Sequence, residues 1–198
     1  MKQKILGLIA LLVLLTPQLA AAHSPIKGVS DFYNGLLHPF FSIPHILIVL
    51  SLGILLGQQL ESKGTTISLA FAVSLAVGLG CATASIGFPA ETYLLIGAGI
   101  LGLLLILSRP LPQWTYILIT VVMGLLMGID FYSDTAKSKG SMNTGTGVTL
   151  YFCFLYLLLF SENFGKKKWQ QIGIRVLGSW ITACAMLVLS LSLFVKKL

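Results

Sequence analysis

Beyond Asn34 the chain is a succession of six apolar runs joined by short polar connections: about Phe40 to Leu56, Thr66 to Ala84, Thr92 to Leu107, Trp114 to Ile129, Gly147 to Phe160 and Ile172 to Val195. Each is near the length that crosses a hydrocarbon core once, and the fifth is the shortest. With 56% hydrophobic and only 10% charged residues, the 198-residue chain has too few charges to coat a soluble domain. The runs lack the apolar/polar alternation of barrel strands, and in lipid every backbone N–H must be satisfied within its own segment. The expected fold is therefore all-α, a polytopic transmembrane helix bundle with six spans. The longest connection, Phe131 to Thr146, is rich in Gly, Ser and Thr and reads as a flexible loop. No internal repeat stands out.

The N-terminus reads as a separate object. Lys2 and Lys4 precede the apolar stretch Ile5 to Leu15, Thr16 and Pro17 break it, and Ala20-Ala21-Ala22 supplies an A-x-A cleavage site. That order matches a secretory signal peptide over residues 1–22, leaving His23 as the first residue of a six-span domain over 23–198, with its N-terminus outside. Six crossings then put Lys63, Arg109, Lys166, Lys167, Lys168 and Arg175 on inner connections, against Lys27, Lys137, Lys139, Lys196 and Lys197 outside. The bias follows the positive-inside rule but is small. The net charge of +7 is thus juxtamembrane; with no basic stripe interleaved with aromatics, the expected partner is the lipid bilayer and not nucleic acid. Cys81, Cys153 and Cys184 stand alone in apolar runs, so neither a disulfide framework nor a zinc site is read from them.

Two of the three histidines, His38 and His45, lie seven residues apart at the mouth of the first run. On an unbroken helix they face one way but sit about 10 Å apart, too far to share an ion. Pro44 offers a bend, because proline inside a helix removes a hydrogen bond and clashes with the preceding turn. Broken helix ends at membrane depth are where transporters build ion sites; the structural alternative is that both imidazoles sit at the wet interface, bonded to water or backbone. In M-G-L-L-M-G-I-D, residues 123–130, Met123 and Met127 share a helix face, and a thioether is a soft donor suited to Cu(I). Met also serves as gap filler, and Gly124 and Gly128 form a G-x-x-x-G pair for close helix packing. Asp130 ends the motif. Glu91 opens the third run, where the helix dipole alone favours an acid. His23, if terminal, offers an amine and an imidazole as a chelate. With the expected topology, His38, His45, Glu91, Met123, Met127, Asp130, Cys81 and His23 all fall in the outer half of the bundle.

Together these elements resemble the HupE/UreJ family, hydrogenase and urease accessory membrane proteins regarded as nickel or cobalt permeases. Its first-span motif H-P-x-x-G-x-D-H is similar to His38-Pro39-Phe40-Phe41-Ser42-Ile43-Pro44-His45, with Ser42 for the glycine and Pro44 for the aspartate. Its P-x-E is matched by Pro89-Ala90-Glu91. Its H-G-x-x-H-G-x-E is similar to residues 123–130, with Met123 and Met127 replacing both histidines and Asp130 keeping the final charge. The resemblance implies an inward permease for a transition-metal ion in a bacterial cytoplasmic membrane, with His38, His45, Glu91, Met123, Met127, Asp130 and His23 as candidate ligands. The metal is cargo, nickel or cobalt by resemblance; losing an acid and two imidazoles while gaining two thioethers softens the set and makes copper a rival. No tightly bound cofactor is expected. The chain has no G-x-x-x-x-G-K-[ST] phosphate loop, so a secondary mechanism is the default. No nucleophile and base stand at a dictated spacing, so enzymatic activity is not expected. The competing class is a non-transporting metal-binding or docking subunit, with a homo-oligomer or an accessory complex as its setting.

Overall fold

A computed structural model describes residues 28–59, 64–84, 89–131 and 139–195. The expected signal peptide over 1–22 and His23 lie outside the described residues. Among the described residues there are seven helices: α1 (Asp31–Phe41), α2 (Ile43–Gln59), α3 (Gly64–Thr83), α4 (Glu91–Leu107), α5 (Gln113–Ile129), α6 (Lys139–Asn163) and α7 (Lys168–Val195). The fold is all-α, as the absence of alternation requires. α2 is the hub: twelve of its seventeen residues are buried. It packs between α6 and α4, while α3 pairs with α5, α4 with α7, and α1 with α6.

The outward faces are apolar. Leu69, Val73 and Val77 of α3, Ile96, Ile100 and Leu103 of α4, and Met186, Leu187 and Leu191 of α7 are all exposed. Helices apolar on both the packed and the outer side belong in a hydrocarbon solvent. Three of them, α3, α6 and α7, are long and apolar enough to cross a membrane, and the bent pair α1–α2 makes a fourth if it is one span. α4 and α5 are shorter, with 17 residues each, or about 25 Å at 1.5 Å per residue against a core of roughly 30 Å. Each of the six apolar runs thus coincides with a helix, but length alone supports three or four crossings.

Two sequence expectations change here. The run Gly147 to Phe160 is not the shortest helix: it is the core of the 25-residue α6, which begins at Lys139, inside the expected flexible loop. The Gly- and Thr-rich stretch is helical because α1 lies against it. A methyl on Gly145 would run into the Phe32 carbonyl, and one on Gly35 into the Met142 carbonyl, so the two glycines let the backbones touch. The threonines also have a task. Pro39 has no N–H to offer the carbonyl of Gly35 four residues earlier, and Thr146 Oγ1 donates to it instead at 3.0 Å. Thr149 Oγ1 donates to Leu36 O at 2.8 Å beside it.

The second change concerns the first run, which is two helices meeting at 73°. Pro44 cannot donate to Phe40 O, and its ring would clash there, so the helix cannot run through. Ser42 takes extended backbone angles (φ −97°, ψ 106°) and its carbonyl accepts from Ile46 N at 3.2 Å, starting α2 afresh with Pro44 in its first turn.

Elsewhere the G-x-x-x-G pair behaves as its spacing predicts: a methyl on Gly128 would stand 2.7 Å from Gly78 Cα, and one on Gly124 would meet Ser74 Oγ, which closes α5 onto α3.

Replacing Thr146 by Val keeps the shape and deletes the donor to Gly35 O. It is expected to destabilise the protein by about 1–3 kcal/mol, seen as a lower unfolding midpoint in detergent, while Thr144→Val on the exposed face leaves the midpoint unchanged. Equal midpoints for the two variants would remove this account of the α1–α6 contact.

Candidate functional site

The break at Ser42 sets the site. His38 stands in the last turn of α1 and His45 in the first turn of α2, so the 73° bend turns two residues of one helical stripe into residues on the two arms of a corner. His45 is 1% exposed. Its ring is held on both sides. Nε2 lies 3.4 Å from the carbonyl oxygen of Met127 in α5, and Nδ1 is bonded to Ser42 Oγ. A carbonyl only accepts, so Nε2 carries the proton, Nδ1 is the acceptor and the Ser42 hydroxyl donates. This is how a neutral imidazole is buried among apolar side chains.

Asp130 completes the pair. It caps the C-terminus of α5, and its Oδ2 is 3.9 Å from His45 Nε2, with the side chain 16% exposed. A carboxylate at a helix C-terminus faces the negative end of the dipole, an arrangement unfavourable by roughly 0.3–1 kcal/mol. The helix dipole therefore gives no reason for an acid here.

Phe131, one residue on, fills the corner. It is 4% exposed, and its ring centroid is 4.4 Å from that of His38 and 5.4 Å from that of His45, both edge-on. His38 is half-buried, with its Nδ1 shielded from solvent. Beside the corner lies an outward-opening apolar groove of about 170 Å³, lined by Pro39, His45, Thr149 and Cys153 together with the exposed Phe40 and Ile46.

The other sequence candidates are placed differently. Met127 is fully buried, and what it offers His45 is its main-chain carbonyl. Met123, one turn deeper, is half-buried with its thioether over Gly97 of α4, in the space the missing side chain leaves, and near Ile48. Glu91 opens α4 as expected but is exposed, and among the described residues no hydrogen bond or ion pair joins it to His45 or Asp130. Cys81 is half-buried near the end of α3, and the three cysteines form no disulfide. Among the described residues no three His, Cys, Asp or Glu side chains form a group that could hold a metal ion. The structure thus joins His38, His45, Met127 and Asp130 at one corner and leaves Met123 and Glu91 apart. Sequence reasoning passed over Ser42 and Phe131. The hydroxyl three residues before His45, at a break enforced by Pro44, was the available signal for Ser42; Phe131 gave none beyond following the acid.

A family model described as HupE / UreJ protein matches residues 11–188. No curated protein and no solved structure matches the chain.

Phe131→Ala empties a buried corner and is expected to lower stability by about 3–5 kcal/mol, with Phe131→Leu losing less than half of that; unfolding midpoints of the two variants check it. Indistinguishable midpoints for Phe131→Ala and the parent would show that the ring does not support the corner.

Proposed function

Because the chain belongs to the HupE/UreJ family, we propose that it is a secondary permease carrying a transition-metal ion inward across a bacterial cytoplasmic membrane, with nickel or cobalt as cargo and copper as the rival. In this reading α4 and α5 also cross, giving six spans with the mature N-terminus and the His45 corner outside, and the protein is not an enzyme. The observation that carries it is a fully buried imidazole with a carboxylate 3.9 Å away, set at a break between two helices. Broken helix ends supply main-chain and side-chain ligands at depth without strain on the rest of the bundle.

The corner can change hands between proton and metal. In the resting state Nε2–H donates to Met127 O and Nδ1 accepts from Ser42. For an ion to bind at Nε2, that nitrogen must give up its proton, and Nδ1 takes one up. The Ser42 hydroxyl, donor in one state and acceptor in the other, serves both tautomers. The metal-binding tautomer is then fixed by Nδ1–H donating to Ser42, the second-shell bond that metal-ligating histidines require. Asp130 supplies negative charge beside it, and Met127 and His38 are further candidate donors at the same corner. A small ligand set suits cargo, which must leave as readily as it enters. With Met123 packed over Gly97, the Met127 thioether is the soft donor of the corner and imidazole and carboxylate the borderline ones, and that contrast keeps copper beside nickel and cobalt.

Vesicles containing the full chain, offered nickel, cobalt, copper and zinc in turn, test this directly. Flux of one metal is expected, abolished in His45→Ala and reduced about 10–100-fold in apparent affinity in Ser42→Ala. Loss in Met127→Ala as well would point to copper. Metal binding without flux in any of the four would support a docking subunit instead, and flux indifferent to His45 would remove the site. Imidazole must be neutral to bind, so uptake is expected to fall as the pH drops through the range where histidine protonates, and a flat profile would contradict the assignment of His45.

A further inference from the structure

The far end of α2 carries a second constellation. A cavity of about 360 Å³ lies where the C-terminal ends of α2, α4 and α6 meet the start of α7, lined by Gln58, Ser108, Glu162, Lys166, Gln171 and Arg175 among others. Its charged side chains, two cations and one carboxylate, are net positive, and they stand against the carbonyl ends of α2, α4 and α6 as well as the amide end of α7. Among the described residues neither Lys166 nor Arg175 is in an ion pair, and Glu162 is not paired either. Arg175 is exposed but anchored: its Nε donates to Ser108 Oγ at 3.3 Å, which holds the guanidinium fork at the rim. Ser108 itself is the one described non-glycine residue with a left-handed backbone (φ 49°), a conformation unfavourable by roughly 1–2 kcal/mol for an L-residue. Its hydroxyl also donates to Leu105 O at 3.0 Å, so its place in the wall is fixed. Gly165, with φ +110°, turns the connection so that Lys166 reaches the cavity while the backbone lies against Gln58, a turn an L-side chain would resist.

The surroundings concentrate positive charge further. Lys166, Lys167 and Lys168 run into the N-terminus of the 28-residue α7, so three ammonium groups stand at the positive end of a helix dipole. Cations there are disfavoured unless an anion joins them. Trp169 and Trp114 are both largely exposed at this same end of the bundle, the position amphipathic rings take at the headgroup level of a bilayer.

We infer that this cavity binds the phosphate headgroup of an anionic phospholipid, gripped by Arg175 and Lys166 and by the amide donors of Gln58 and Gln171. A guanidinium takes two phosphate oxygens at once, and the side-chain amides of Gln58 and Gln171 supply further N–H groups. Glu162 lines the same space, which keeps the phosphate toward Arg175 and Lys166. The inference is independent of which ion, if any, the His45 corner carries.

The test is lipid retention by the full chain purified in detergent, read by native mass spectrometry after exchange against phosphatidylglycerol or phosphatidylcholine. One phosphatidylglycerol per chain is expected to stay bound, in clear preference to phosphatidylcholine. Arg175→Gln combined with Lys166→Gln should weaken that retention by an order of magnitude or more, while Lys139→Gln, which removes one positive charge at the opposite end, leaves it unchanged. Unfolding midpoints of the delipidated variants show whether the fold is kept, and Arg175→Lys alone, which keeps the charge and loses the fork, should give an intermediate loss. Equal retention of the two lipids, or retention untouched in the double variant, overturns the inference. So does displacement of the lipid by inorganic phosphate at equal concentration, which would identify the ligand as the free anion.

Discussion

The organisation of this protein depends on one missing hydrogen bond. Pro44 has no N–H for the carbonyl of Phe40, and its ring occupies the place where that carbonyl would stand, so a helix entering at Asp31 cannot continue to Gln59. The chain stops at Ser42 and starts again at 73°. Everything at the corner follows: His45 becomes a first-turn residue whose ring is reached by the hydroxyl that caps the break, and α5 brings Asp130 and the Met127 carbonyl to its other side. The first proline, Pro39, is accommodated differently. There the helix goes on, and a threonine from α6 supplies the missing donor.

A corner of this kind holds its shape only in a tightly packed bundle. Close approach is obtained with glycine at three of the main crossings: Gly35 and Gly145 for α1 and α6, Gly78 and Gly128 for α3 and α5, Gly102 and Gly178 for α4 and α7. Between lipid-facing helices there is no hydrophobic gain to drive association, so contact of backbones and short polar side chains has to supply it. Ser161 Oγ to Ile54 O at 2.8 Å and Ser68 to Tyr151 at 2.9 Å are of this type. Among them α2 runs as a buried rod with an acid and two imidazoles at one end and a basic, amide-lined cavity at the other, about 20 Å away.

Much of this was legible in the sequence. Apolar runs without alternation give helices, the G-x-x-x-G spacing gives a close helix contact on α5 without naming its partner, and His–x6–His with a proline between gives a bend at the right place. Other features were not. α6 begins inside a segment that reads as loop by composition, because Gly145, Thr146 and Thr149 are chosen for the neighbour they touch and not for local propensity. The spacing of Met123 and Met127 places both on one face, yet the structure uses the backbone of one and packs the other over Gly97, a distinction that only the crossing of α4 and α5 determines. Glu91 satisfies a family motif and a helix dipole together, and the structure shows only the second at work. Ser42 was easily misjudged: as a substitution for glycine it looks like a loss, whereas its hydroxyl is what holds His45.

The central claim is that His45, buried in the first turn of α2 at the break after Ser42, is a metal ligand. X-ray absorption at the metal edge, on the full chain loaded with nickel or with Cu(I), tests it without reference to transport. The account predicts scattering from imidazole rings in the parent protein and one ring fewer in His45→Ala at the same metal occupancy. An identical spectrum in the two proteins, or a parent spectrum free of imidazole scattering, would contradict it.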